Sequence, residues 1–392
     1  MHRRKAPPAV LPNPIRPARA GAALFLNGDP PRDALIDRAK LKKQTRYNIA
    51  VLGVGAIGRE HIESFQKHPA ARVVAVVETS VERGREIAGR FGIADVYTDY
   101  RELLARRDID VVSIALPNYL HAPVALAALR AGKHVMIDKP MTTRARDAAR
   151  LVAEAKRRRR LLMVGQNQRF TPAVQTLKRL VAGGVLGEVY HAKASWLRRA
   201  GIPRIGSWFT QRRFAGGGCL YDIGSHVLDQ TLYLMGEFEA AAVSGQTYAR
   251  FGPRGQGNGS WGESEVDPRR PFDVDDAAVA LIKLKSGRTV LLETSWALHM
   301  AVPDVNGTQL FGTKAGATTN PLRLFRPGRS HYRLESPVPR PALVTPNRMV
   351  HFINVLQGRE EPYVLPEQSL AVQKILDAIY LSAATGREVR LR

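Results

Sequence analysis

Ile49-Ala50-Val51-Leu52-Gly53-Val54-Gly55-Ala56-Ile57-Gly58 runs from an apolar stretch into a glycine-rich turn, and a second apolar run, Val73 to Val77, ends in Glu78 twenty residues after Gly58. This is the spacing of a dinucleotide-binding turn. Gly53 permits a tight strand-to-helix turn, Gly55 lets the backbone, with Ala56 and Ile57, approach a pyrophosphate, and Gly58 lets the first helix lie close on its strand. The helix N-terminus then faces the anion. A glycine turn alone is a weak signal; the carboxylate at this offset sharpens it, because Glu78 can accept hydrogen bonds from the adenosine ribose hydroxyls. The same carboxylate opposes the 2′-phosphate of NADP. NAD is therefore the expected cofactor, and Arg83 and Arg85 on the next helix are the features that keep NADP open.

Working outward from this turn, apolar runs alternate with helical patterns, with strands expected near 48–52, 73–77, 110–115, 134–137 and 161–164. The pattern is that of an α/β Rossmann domain over 46–166, a doubly wound parallel sheet whose ligand crevice opens at the strands' carboxyl ends. Gly53, Glu78, Pro117, Asn118 and Lys139 all fall there. After Gln168 the pattern changes. Helices are expected near 172–182 and 222–235, and strands near 188–196, 275–284, 288–298 and 307–312; short turns such as Lys285-Ser286-Gly287 imply antiparallel pairing. Residues 167–392 thus read as an α+β second domain, closed by helices near 346–357 and 367–384, with Arg250 to Arg270 as a surface loop.

A chain of 392 residues suits two or three domains at ~150 residues each. Residues 1–45 hold ten basic and three acidic residues among seven prolines, and read as an unfolded extension in front of the folded body. Lys and Arg number 59 against 35 Asp and Glu, a formal charge of +24. The arginines are scattered, and the densest run, Lys156 to Arg160, ends an expected helix, where cations offset the negative pole of the dipole. No specific nucleic-acid partner is read from it. No apolar stretch approaches the ~18 residues of a membrane span. Cys219 is the only cysteine, which excludes an intrachain disulfide and suits a cytoplasmic setting.

Two places carry candidate chemistry. Asp222-Ile223-Gly224-Ser225-His226 follows Gly216-Gly217-Gly218, so Asp222 and His226 at i and i+4 share one helix face. A histidine can take the proton of an alcohol, and a nearby carboxylate can orient it. Taken alone, the pair reads more readily as a structural helix contact. Zinc is the weaker reading, since a third ligand and a thiolate set are missing, and no metal is expected. Lys139 stands directly after Val135-Met136-Ile137 and before Pro140, where a lysine can donate to a substrate hydroxyl.

With these residues in view, the chain resembles a known family. The glycine turn, Ala115-Leu116-Pro117-Asn118-Tyr119-Leu120-His121, Asp138-Lys139-Pro140, Asn167-Gln168-Arg169-Phe170 and the Gly216-to-His226 block occur in the order of the glucose-fructose oxidoreductase and inositol dehydrogenase family, Gfo/Idh/MocA. The resemblance spans roughly Arg46 to Arg392. It implies a second domain built on an open, mostly antiparallel sheet with helices on one face, and homodimers or homotetramers that bury the other. By matching motif it makes Lys139, Asp222 and His226 catalytic. It puts the cofactor against Gly53, Gly55, Ala56, Ile57, Gly58, Glu78, Pro117, Asn118, His121, Asp138, Lys139 and Arg169, and the substrate against Lys139, Trp208, Asp222 and His226. Trp296 is a further positioning candidate, and Cys219 a packing residue. Asp138 stands where the family usually has Glu. The implied reaction is hydride transfer between a nicotinamide and a hydroxyl-bearing carbon of a sugar or cyclic polyol, with His226 as base, Asp222 orienting it and Lys139 stabilising the alkoxide. Two other readings are an NAD-dependent glycosidase working through transient sugar oxidation and a non-catalytic nucleotide-sensing regulator.

Overall fold

A computed structural model describes residues 45–339 and 345–391. All but the last residue of the expected 1–45 extension lies outside them. The first domain alternates strands and helices: β1 (Tyr47–Leu52), α1 (Ala56–Gln66), β2 (Ala71–Val77), α2 (Val81–Phe91), β3 (Asp95–Tyr97), α3 (Tyr100–Leu104), β4 (Val111–Ile114), α4 (Asn118–Arg130), β5 (His134–Ile137), α5 (Ala145–Arg158) and β6 (Leu162–Val164). All pairings in this sheet are parallel and its order is β3-β2-β1-β4-β5-β6, the doubly wound arrangement. The strands are near-continuous apolar runs because both faces are covered; Ile49 to Leu52 are wholly buried. α1 lies on them through Ile62 and Phe65. Gly58 makes that approach possible: a Cβ there would lie 1.9 Å from the Gly53 carbonyl oxygen.

The second domain contains α6 (Pro172–Ala182), β7 (Val189–Arg198), β8 (Ile202–Pro203), α7 (Arg212–Ala215), α8 (Ser225–Met235), β9 (Ala240–Tyr248), β10 (Asn258–Gly259), β11 (Ala277–Leu284), β12 (Thr289–Ser295), β13 (Asp304–Gly312), β14 (Gly316–Thr319), β15 (Leu322–Pro327), β16 (Tyr332–Glu335), α9 (Arg348–Leu356), α10 (Pro366–Thr385) and β17 (Val389–Arg390). Nine of its strands form one sheet in the order β16-β15-β14-β13-β7-β12-β11-β9-β17. The sheet is mostly antiparallel, with β7 and β12 paired in parallel at its centre. Along β11 burial alternates residue by residue: Ala278, Ala280, Ile282 and Leu284 turn to the core under α6, α8 and α10, while Val279 and Leu281 face outward. Tyr190 and Val305 share the exposed surface of the sheet.

Packing crosses the division at Gln166–Asn167. α9 buries Met349, Phe352, Ile353, Val355 and Leu356 in the first domain's core, and α10 touches both α5 and β9. The returning segment therefore brings C-terminal residues to the mouth of the Rossmann crevice. Among the described residues no helix is long and apolar enough to cross a membrane.

Candidate active site

A cleft of about 860 Å³ opens at the carboxyl ends of the Rossmann strands, with Gly53, Gly55, Ala56, Ile57, Glu78, Pro117, Asn118, Asp138 and Lys139 on one side and Trp208, Asp222 and His226 on the other. Its first half fits a dinucleotide. α1 starts without a side-chain cap, and a Cβ on Gly55 would meet nothing within 4 Å, so the backbone there borders open space. An anion at that point would be met by the helix N-terminus. Glu78, buried at the end of β2, accepts hydrogen bonds from Arg83 Nη2 (2.6 Å), Thr79 Oγ1 (3.1 Å), the Ser80 N–H (3.3 Å) and the Val54 N–H (3.4 Å). Burial raises its pKa, but the hydrogen bonds from Arg83 and its neighbours outweigh this and hold the carboxyl below its ordinary range. It is therefore an anion at neutral pH.

Lys139 follows directly on Asp138, the first residue past β5, and reaches across to the second domain. Its Nζ donates to Asp222 Oδ1 at 2.7 Å and to the Asp222 carbonyl oxygen at 3.0 Å. Trp296, wholly buried at the end of β12, donates from Nε1 to Asp222 Oδ2 at 2.9 Å. Asp222 lies in a π-helical turn, Leu220–Gly224, that runs directly into α8; such widened turns recur at functional sites. The segment before it is held by buried Asp275, which accepts from the Gly218 N–H (2.8 Å), the Leu220 N–H (2.9 Å) and Tyr380. A Cβ on Gly218 would lie 1.8 Å from the Asp275 carbonyl oxygen, so the tripeptide glycine permits this approach. Cys219 donates to the same carboxylate, and burial pushes its thiol far up, as fits a packing residue.

His226 lies against Trp196, ring centroids 5.7 Å apart, and its buried Nδ1 has no hydrogen-bond partner among the described residues. Burial, followed by the charges of Lys139, Arg348 and Arg198, holds its pKa well below the ordinary histidine value. The ring is neutral at pH 7 and able to accept a proton.

Several expectations from the sequence change here. Asp222 makes no hydrogen bond to His226; placed between an ammonium and a neutral imidazole, the carboxylate pairs with the cation, the stronger partner. Arg169 is absent from the cleft wall. Its guanidinium is wholly buried, bidentate on Asp229 (2.6 and 2.7 Å) and bonded to Gln368 Oε1 (2.6 Å), so it joins α8 to the C-terminal segment. His121 is likewise behind the wall, its ring bridging the Pro140 and Leu116 carbonyls at 2.8 Å each and tying two cleft loops together. Gly58 serves helix packing. Asn118 lines the cleft and donates to the Ala215 carbonyl (2.8 Å), and Trp208 lines it stacked on Phe209.

Other wall residues carried no signal specific enough to find them: Trp196 and Arg198 on β7, and Arg348 on α9. The expected surface loop is largely exposed, and part of it borders the cleft. Trp261 to Glu265 line the cleft, Trp261 packs edge-on against Phe209, and Glu263 pairs with Arg59 of α1 at 2.5 Å. An isolated tryptophan in a stretch of glycine and charge was the only hint. No group of three or more His, Cys, Asp or Glu among the described residues is placed to hold a metal ion.

Comparison with known proteins bears on the family and the fold. Residues 47–166 match the model of the oxidoreductase family with an NAD-binding Rossmann fold, and residues 174–318 match the GFO/IDH/MocA C-terminal domain. D-glucoside 3-dehydrogenase of Escherichia coli (strain K12) is 31% identical over 348 residues, covering 88% of this chain and 97% of that protein. A 3-reductase of Streptomyces violaceoruber acting on dTDP-3,4-didehydro-2,6-dideoxy-alpha-D-glucose is 39% identical over 191 residues, 48% of this chain and 54% of that one. The structure of a levoglucosan dehydrogenase in complex with NADH superposes with a TM-score of 0.76 at 25% identity, over 88% of this chain and 99% of that chain. The double glycine turn, the converging Lys139, Asp222 and His226, and matches over both domains give one answer: the chain belongs to the GFO/IDH/MocA family of NAD-binding oxidoreductases.

Proposed function

We propose that this protein is an NAD-dependent sugar oxidoreductase that interconverts a secondary hydroxyl and a ketone, with carbon 3 of a glucoside-like pyranose as the reacting position. The carrying observation is the Lys139–Asp222 ion pair facing a neutral His226 in one cleft. A lysine ammonium has three N–H donors, and Asp222 takes two, through its carboxylate and its carbonyl. The remaining one is free to bind the substrate oxygen and stabilise the alkoxide as it develops. His226, a neutral imidazole in the cleft wall, takes the hydroxyl proton. Asp222 thus acts on Lys139, with Trp296 fixing its second oxygen. Bound along the glycine turn and Glu78, NAD would supply the acceptor for the hydride leaving the carbinol carbon.

The position on the sugar is supported by two relatives named for chemistry at carbon 3, one as a dehydrogenase and one as a reductase. The outward surface of the nine-stranded sheet, with Tyr190, Val279, Leu281 and Val305 exposed, is the face we assign to a second copy of the chain. We place the protein in the cytoplasm on the single buried cysteine.

Absorbance at the NADH wavelength, followed with methyl glucoside, levoglucosan, free glucose and inositol, tests the reading. Net NADH with a 3-keto product is expected. Release of a free aglycone with no net NADH would instead identify an elimination, and NAD binding without turnover across the panel would identify a regulator.

A further inference from the structure

Arg348 enters the cleft from near the C-terminal end of the chain. It is the first residue of α9, whose start is fixed by Asn347 Oδ1 accepting the Met349 and Val350 N–H groups at 3.0 and 3.1 Å. Met349, Phe352 and Ile353 anchor the helix in the first core. Held this way, Arg348 lines the cleft while only 8% exposed. Its Nη1 pairs with Glu60 Oε1 at 2.9 Å, and its Nη2 lies 4.0 Å from Asp138 Oδ1. Nε is buried with no acceptor. Gly165, just past β6, makes the room: a Cβ there would lie 3.0 Å from Asp138 Oδ1 and 3.2 Å from Arg348 Nε. Burying a guanidinium with an unmet N–H is costly.

We propose that Arg348 is a positioning residue of the active site: from α9 it faces the Asp138 carboxylate across the space left by Gly165, and so fixes the segment that carries Lys139 while setting a positive charge behind His226. The proposal rests on Lys139 and His226 being the reacting pair. The charges acting on His226 are the cations Lys139 after β5, Arg348 on α9 and Arg198 on β7, and the carboxylates beside Lys139 and Arg348 in the same cleft are Asp222, Asp138 and Glu60. Removing one cation makes protonation of the imidazole easier. Burial pushes the Asp138 carboxyl up while Arg348 and then Lys139 pull it down, so loss of Arg348 moves both groups the same way.

The experiment compares Arg348→Gln and Arg348→Lys in the full chain by two readouts. In kcat/KM against pH with a turned-over glucoside, Arg348→Gln should move the acid limb upward by about one pH unit and lower kcat more than it raises KM, while Arg348→Lys restores the limb. Histidine NMR titration without substrate, with the His226 signal identified by its loss in His226→Asn, should show the same upward shift. An unmoved limb and an unmoved His226 titration in Arg348→Gln overturn the proposal. A shifted His226 titration in a protein that oxidises no sugar would sink the proposed reaction and leave Arg348 in its role. Should Arg348→Gln not fold, Gly165→Ala, which pushes a methyl between Arg348 and Asp138, must shift the titration and Arg348→Lys must not; the reverse pattern overturns the proposal.

Discussion

Asp222 and His226 stand four residues apart and line the same cleft, yet the Asp222 carboxylate is held by Lys139 at 2.7 Å and Trp296 at 2.9 Å while His226 Nδ1 has no partner. In the proposed reaction the pair acts as two units, an ion pair that presents an N–H donor and a separate neutral base. Stability measurements can separate them. A double-mutant cycle on Lys139 and Asp222 should give a coupling of about 0.5–3 kcal/mol, and one on Asp222 and His226 close to none. A large Asp222–His226 coupling would restore the carboxylate-to-imidazole contact expected from the sequence.

Turnover should follow the same division. His226→Asn and Lys139→Ala are each expected to lower kcat by roughly 10² to 10⁴, the range of a positioned acid–base group, with NAD affinity largely kept. Near-normal kcat in either variant removes that residue from the chemistry.

Arg169 makes a different prediction because it is structural. Its guanidinium and Asp229 are both wholly buried and bidentate, so removing one partner leaves an unpaired buried charge. Burial pushes the Asp229 carboxyl up, and the Arg169 charge and hydrogen bonds oppose this. Arg169→Met should cost about 3–5 kcal/mol in denaturant unfolding. NAD affinity of the folded variant should stay at the wild-type level; a selective loss of NAD binding at unchanged stability would put Arg169 back at the cofactor.

Much of the first domain was legible in the sequence because parallel strands buried on both faces are short, continuous apolar runs, as Ile49–Leu52 and Val135–Ile137 are. β3, with only Asp95 to Tyr97 and no buried residue, lacked that signal. In the second domain β11 and α6 followed from alternation and helical period, whereas the parallel pairing of β7 with β12 brings together residues about a hundred apart and leaves no local trace. The site divides the same way. Lys139, Asp222 and His226 sit in compact motifs, but Arg348 and Trp196 reach the cleft only through long-range packing. Arg169 and His121 lie in motifs yet turn away from the cleft, since spacing along a chain does not fix a side chain's direction.

Acid should destabilise the fold through its buried histidines. Burial, then the nearby Arg160 charge, pushes His134 down to about 3, and burial lowers His61 and His226 well below the ordinary value. For a group with a depressed folded pKa, the unfolded chain binds the proton first as pH falls. Stability is therefore full above about pH 6.5 and declines as pH falls below it, for His134 down to about 3, by about 1.4 kcal/mol per pH unit for each such histidine. Unfolding midpoints at pH 7 and pH 5 check this. His134→Asn, whose amide oxygen can still accept the Leu161 N–H, should show a smaller loss between the two than the wild type; an equal loss would exonerate His134.

Cofactor choice turns on Glu78 and Arg83, joined at 2.6 Å at the mouth of the cleft. Glu78 is ionised and already well supplied with donors, so the ribose hydroxyls of NAD would take the place of the half-exposed Arg83. A 2′-phosphate at the same point meets a carboxylate that Thr79, the Ser80 N–H and the Val54 N–H hold in position even when Arg83 swings away. Arg83 offsets part of that repulsion and leaves part standing. NAD should bind at least about tenfold more tightly than NADP, a difference of about 1.4 kcal/mol. Arg83→Ala should leave NAD affinity within a few-fold and weaken NADP further, whereas Glu78→Ser should narrow the gap by keeping Arg83 and removing the opposing charge. Titration of both cofactors at fixed salt decides it: equal or tighter NADP binding by the wild type would show that Arg83, and not Glu78, governs the pocket.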